Sequence, residues 1–244
     1  MIEAFNVRGV IAHLNESIKT IVSQHPYPKQ IQKLLGETLL TASLLLPMIK
    51  LKGRMIIQFQ SDGAIKMLVA QINDQGHIRG LAKWQPDAKK NDLISGLENG
   101  ELVITIFQKG QEKPYQSIVP LYNKDISTAM THYFVQSEQL LTKCYLTVSD
   151  DSATGMLLQM MPENENIDRE LQWQSLMSHM KDFNVKKLTE SDNVTFLKTT
   201  DARHGERSEG AYSAVGSDFL PSVSDCKKSL RAVKSFESPC VVEP

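Results

Sequence analysis

The side chain best suited to covalent chemistry is the thiol of Cys144, which becomes a nucleophile when a neighbouring base or cation holds it as thiolate. His13, His77 and His132 are the candidate bases. Cys144 opens an apolar stretch that runs to Val148, however, and a thiol in that setting is usually buried and inert. Cys226 and Cys240 lie far downstream with no cysteine or histidine close by. They are candidate redox thiols that could form one disulfide, but no four-ligand zinc site can be assembled from the chain's thiols. The adjacent carboxylates of Asp150 and Asp151 precede Gly155, in a turn where aspartate is favoured for bonding to its own backbone. His25, ahead of Pro26-Tyr27-Pro28, suits a helix end, where its charge would meet the helix dipole. Walker loops, dinucleotide fingerprints, nucleophile elbows and paired-histidine metal helices are not found, so no catalytic or metal-ligating set is assigned.

Methionine carries more information. Met156, Met160 and Met161 fall on one apolar stretch, and Met177 and Met180 follow on a helical pattern with Leu171, Trp173, Leu176 and Phe183. Methionine adapts its shape to varied partners, which suits promiscuous apolar contact, although core packing is the plainer reading of such a stripe. The helix comes after a polar linker, Pro162 to Asn166, and could lie detachably across the preceding domain. On that ground Leu171, Trp173, Leu176, Met177, Met180 and Phe183 are the expected switch or binding surface.

Composition narrows the classes. The 244 residues include 27 Lys+Arg against 28 Asp+Glu, a net charge of −1, with 41% hydrophobic residues. That balance supplies no field to draw the chain onto nucleic acid or anionic lipid, and it provides enough apolar surface for a closed core. The longest mostly apolar stretch, residues 39–49, falls short of the ~20 residues that cross a bilayer, and no basic segment leads into a hydrophobic one at the start. Three cysteines with an odd count suit a reducing compartment. A cytoplasmic protein without nucleic-acid or membrane partners is the expectation. No repeat is visible.

The elements follow from period. Residues 5–14 predict a strand, with a bulge at Gly9, and Asn15 is placed to cap a helix that stops before Pro26 and Pro28. Apolar positions from Ile31 to Leu46 form a wide helical face, so a long central helix is expected from Lys29 to about Pro47. Alternation over residues 53–60, 65–72 and 77–84, with tight Gly-containing turns, predicts an antiparallel meander. Residues 86–100 read as a loop and short helix, and 102–108 with 115–121 as a hairpin. Asp125 or Ser127 caps a helix running to Gln139. Strands at 144–148 and 156–161 flank a turn at 150–155. After the linker comes the amphipathic helix 167–183. From about Thr199 neither period persists, apart from a weak basic helix at 227–234, and a mostly disordered tail is expected.

Several of these stretches, in order over residues 5–197, resemble the redox-regulated holdases of the heat-shock-protein-thirty-three family of the bacterial cytosol. They are Phe5-Asn-Val-Arg-Gly9, Tyr27-Pro28, Leu35-Gly36-Glu37 with Ala42-Ser43-Leu44, and Gln58-Phe-Gln-Ser-Asp-Gly63. Ile78-Arg79-Gly80, Tyr115 to Val119, Tyr133 to Gln139 and Gly155 to Pro162 complete the series. The resemblance implies an α+β core of two packed, mainly antiparallel β-sheets with crossing helices over residues 1–162, then a helical linker over 163–198. It also implies a zinc-binding thiol domain, where reduced thiolates hold zinc and oxidation unfolds the linker. The family's Cys-x-Cys and Cys-x-x-Cys pairs are not matched in residues 199–244. No cofactor is therefore expected in this chain, and the change near Thr199 would follow from a reading-frame shift or replaced residues, which the coding DNA read in all frames would settle.

Three functions follow as expectations. The first is an ATP-independent holdase that binds unfolded client proteins on exposed apolar surface, without the family's zinc-thiolate switch. The second is a thiol-dependent enzyme using Cys144. The third is a non-catalytic assembly protein, such as a homodimer that exchanges its linker helix.

Overall fold

The computed structural model describes residues 5–49, 51–89, 93, 100–121, 125–150, 152–162 and 169–181. Phe183, Cys226, Cys240, the basic stretch 227–234 and the tail from residue 199 lie outside the described residues, as does most of the segment assigned to the linker.

The chain opens with strand β1 (Val7–His13), followed by helices α1 (Asn15–Ser23) and α2 (Lys29–Leu45), the latter ending in a 3-10 turn at Leu46–Met48. Strands β2 (Gly53–Gln60), β3 (Ile65–Asn73) and β4 (Ile78–Trp84) come next, then β5 (Glu101–Gln108) and β6 (Tyr115–Pro120). Helix α3 (Ile126–Ser137), strands β7 (Thr142–Val148) and β8 (Ala153–Met160), and helix α4 (Arg169–His179) complete the described elements. The strands form two antiparallel sheets, one of five strands in the order β4-β3-β2-β5-β6 and one of three in the order β1-β8-β7. This is the α+β architecture of two sheets with crossing helices expected from the sequence.

Helix α2 lies between the sheets, touching β2, β3 and β4 on one side and β1, β7 and β8 on the other. A helix apolar all round must be buried all round, and α2 is buried from Leu34 to Leu45 without a break. Its buried hydroxyls are satisfied internally: Thr38, Thr41 and Ser43 donate to the carbonyls of Leu34, Glu37 and Leu39 at 2.8, 2.8 and 3.0 Å. The approach is close enough to require glycine. A Cβ on Gly36 would stand 2.3 Å from Ile18 Cδ1 and 2.9 Å from Val148 Cγ1, and one on Gly155 would stand 2.9 Å from Leu44 Cδ1.

A polar row locks the register of the smaller sheet. Arg8 Nε donates to Gln159 Oε1 at 2.8 Å, Gln159 Nε2 donates to Thr142 Oγ1 at 3.1 Å, and Thr142 Oγ1 donates to the Leu140 carbonyl at 3.0 Å. Arg8, Gln159 and Thr142 are direct cross-strand partners. A one-residue slip would break this chain and turn every side chain to the opposite face.

Four local expectations are corrected. The β1–β8 register runs unbroken through Gly9 opposite Leu158, so there is no bulge at Gly9; the irregularity lies in the β3–β4 pair, between Ile65 and Met67. Leu14, not Asn15, is the residue capping α1, and it makes no side-chain cap bond. Strand β8 begins at Ala153, inside the expected turn, because Thr154 and Gly155 pair with His13 and Ala12. The strand preceding it likewise starts earlier than expected, at Thr142, which pairs with Gln159. Asp125 caps α3 as expected, accepting from the backbone of Ser127 at 3.3 Å and Thr128 at 3.0 Å.

Candidate functional site

Strand β8 is buried at every position. A strand covered on both faces needs two layers, and here they are distinct. Ala153 and Leu157 join the main core around α2. Met156, Leu158 and Met160 point the other way and join Val7 and Ile11 of β1, Phe5 just ahead of it, and Leu176 and Met180 of α4. Trp173 and Met177 of α4, with Leu141 and Tyr145, are half-buried around this second cluster. The outer face of the three-stranded sheet is therefore an apolar surface roofed by one short helix.

The grip of α4 is narrow. Leu176 is fully buried and Met180 is 3% exposed; spaced i and i+4, they lie one above the other on one side of the helix. Phe5 sits edge-on to His179 with ring centroids 6.0 Å apart. Asn6 adopts a left-handed backbone with φ 49, and its carbonyl accepts from the Met161 amide at 2.9 Å. That kink lies between Phe5, which joins the cluster, and the start of β1. Against these gains, Arg169 Nε is buried with no hydrogen-bond partner, alone in this among the described residues. An orphaned donor of that kind costs about 1–3 kcal/mol. An isolated eleven-residue helix is marginal in water, so α4 keeps its helical form by docking.

The structure divides the six expected surface residues. Leu176 and Met180 are inside the contact, Trp173 and Met177 at its margin, and Phe183 outside the described residues. Leu171 is 62% exposed. At 3.6 residues per turn it stands roughly 180° from Met180, so it does not share their stripe. Phe5, Val7 and Ile11 were not anticipated as part of this surface. The signal was present: β8 reads Met-Leu-Leu over residues 156–158, apolar on successive positions, which a half-buried strand does not show.

Cys144 occupies the opposite face of the sheet, in the main core, and is 3% exposed. Burial, with the charges of Asp125 and Glu37, pushes its thiol up to about 12 despite the nearby Lys143. Its backbone amide donates to Thr131 Oγ1 at 3.4 Å. A protonated thiol sealed from solvent has neither the charge nor the access a nucleophile needs. Asp150 pairs with Lys29 Nζ at 2.6 Å on the surface, and His25 stacks edge-on to Tyr27 at 5.4 Å.

Among the described residues no group of three or more His, Cys, Asp or Glu could hold a metal ion, and no helix is long and apolar enough to cross a membrane. The family's four-thiolate zinc site does not fit this chain, which has three cysteines, one of them enclosed in the core.

The fold and the roofed face together define a class: an α+β core that carries a covered apolar surface outside its main core. The comparisons agree and are specific. The family model described as Hsp33 protein matches residues 1–208, and the chain belongs to that family. The match runs past Thr199, where the loss of pattern in the sequence placed the break. The 33 kDa chaperonin of Pseudomonas fluorescens (strain SBW25) is 34% identical over 200 residues, covering 79% of this chain and 65% of its own length. That of Nitrosococcus oceani is 36% identical over 165 residues, covering 68% of this chain and 57% of its own length. The chain thus spans about two thirds or less of the length of these relatives. The crystal structure of the Thermotoga maritima 33 kDa chaperonin superposes with a TM-score of 0.66 at 22% identity, covering 79% of this chain and 70% of that one.

Proposed function

We propose that this chain is a chaperone of the ATP-independent holdase type, acting in the cytoplasm and capturing unfolded clients on apolar surface. The observation that carries this reading is the second apolar cluster. It is a sheet face built from Val7, Ile11, Met156, Leu158 and Met160 that is closed by two side chains of one marginal helix. Apolar burial yields about 25 cal/mol per Å², so a few hundred Å² of uncovered sheet supplies useful affinity without sequence specificity. The methionines at its centre let the face conform to varied partners.

Release of α4 then depends on thermal or client-driven undocking and not on metal thiolates, because the chain lacks the four cysteines of the family switch. Light scattering of a heat-denatured client, with the full chain present under reducing conditions, tests the reading. Suppression of aggregation without peroxide is the expected result. Suppression that appears only after oxidation would refute the ungated form, and no suppression in either state would refute the holdase itself.

A further inference from the structure

We propose that Glu37 is a proton-operated latch in the core, holding α2 against the start of α3 when neutral and loosening that contact when charged. The inference concerns the stability of the core and stands apart from the holdase reading. Glu37 sits in the middle of the helix that lies between the two sheets, with its side chain 12% exposed. Its charged partner is Lys33, one turn back, at 3.7 Å and 62% exposed. That is a long contact to a solvated ammonium, a weak compensation for a carboxylate taken out of water.

The other groups around it do not help the charged form. Asp125, which caps α3, is a second carboxylate whose charge opposes that of Glu37. Cys144 on β7 interacts with the same two acids and is neutral. Strand β8 has no titratable residue, and β2, β3 and β4 turn apolar core residues toward α2. From α1, Ile18 abuts Gly36, while Lys19 lines the same outer groove as Lys33. In α3, His132 is exposed and Tyr133 is influenced chiefly by Tyr115. Burial, aided by Asp125 and only partly countered by Lys33, raises the Glu37 carboxyl from 4.5 to about 7.

The sign follows from linkage. The folded chain holds the Glu37 proton more tightly than the unfolded chain, so its contribution is complete below about 4.5 and is lost as pH rises through about 7. Acidification from neutral pH therefore tightens the core, and mild alkali sets Glu37 against Asp125. Because Asp125 starts α3 and α3 packs on β7, the strain reaches the edge of the sheet whose other face α4 covers.

The test is urea unfolding of the full chain and of Glu37→Gln, which mimics the neutral acid, from about pH 5 to about pH 8. The ratio of folding constants, variant over parent, is expected to rise by roughly tenfold or more across that range. A ratio that stays constant overturns the proposal. Should the variant fail to fold, carboxyl ¹³C titration of the parent and of Lys33→Met decides. A Glu37 midpoint near neutrality that moves up in Lys33→Met supports the latch, and a midpoint in the ordinary carboxylate range, ~4.3, overturns it.

Discussion

Phe5 and His179 meet edge-on with ring centroids 6.0 Å apart, joining the residue just ahead of the first strand to the last residue of α4. This contact closes one end of the apolar cluster on the outer face of the small sheet. It places the cover of that face under the control of a few side chains, each of which can be removed separately.

Leu176→Ala should undock α4. The side chain is fully buried, and truncating a buried leucine costs about 2–5 kcal/mol, comparable with what a single short helix contributes by docking. Binding of an environment-sensitive hydrophobic dye should rise several-fold while the core transition stays cooperative. Unchanged dye binding would mean that α4 is held by other residues.

Leu171→Ser should leave both dye binding and client holding as they were. The side chain is exposed and faces away from the sheet, and surface changes of this sort stay within about 0.5 kcal/mol. A loss of client holding in this variant would show that the outward side of α4 is itself a binding surface.

Cys144→Ser should preserve client holding and lower stability by about 1–3 kcal/mol, since a hydroxyl would replace a buried thiol in an apolar core. Alkylation of Cys144 in the folded chain at about pH 8 should be much slower than for an exposed thiol, with its ordinary pKa of ~8.5, because the thiol remains protonated and enclosed. Rapid alkylation under native conditions would revive the thiol-enzyme reading.

Gly36→Ala should destabilise the fold by about 1–3 kcal/mol, because the added methyl meets Ile18 and the stiff Val148 side chain closer than van der Waals contact. A thermal melt reads this directly. An unchanged midpoint would show that α1 can swing away from α2 at no cost.

Much of the fold was legible because period decides it. The alternation over residues 53–60 and 65–73 fixes a hairpin, and the wide apolar face of residues 29–45 fixes a buried helix. What escaped depends on pairing between distant segments. Ala153, Thr154 and Gly155 read locally as a turn and become strand because β1 and β7 flank them. The binding face was half legible: Leu176 and Met180 were in the expected set, but Leu171 was grouped with them by nearness in sequence when the helical rotation sets it apart. Phe5, Val7 and Ile11 were read as one strand near the start, with nothing local to say that α4 would lie over them.

The pairing of β1 with β8 has a consequence for synthesis. The residues that meet across it are 141 to 151 positions apart, so at ~5–20 residues per second the first strand emerges on the order of ten seconds before its partner is made. During that interval Val7 and Ile11 belong to an unmatched strand at the head of a nascent chain. Such a segment is exposed to aggregation and to other chaperones, so a helper of unfolded proteins passes through a stage at the ribosome in which it needs shelter itself.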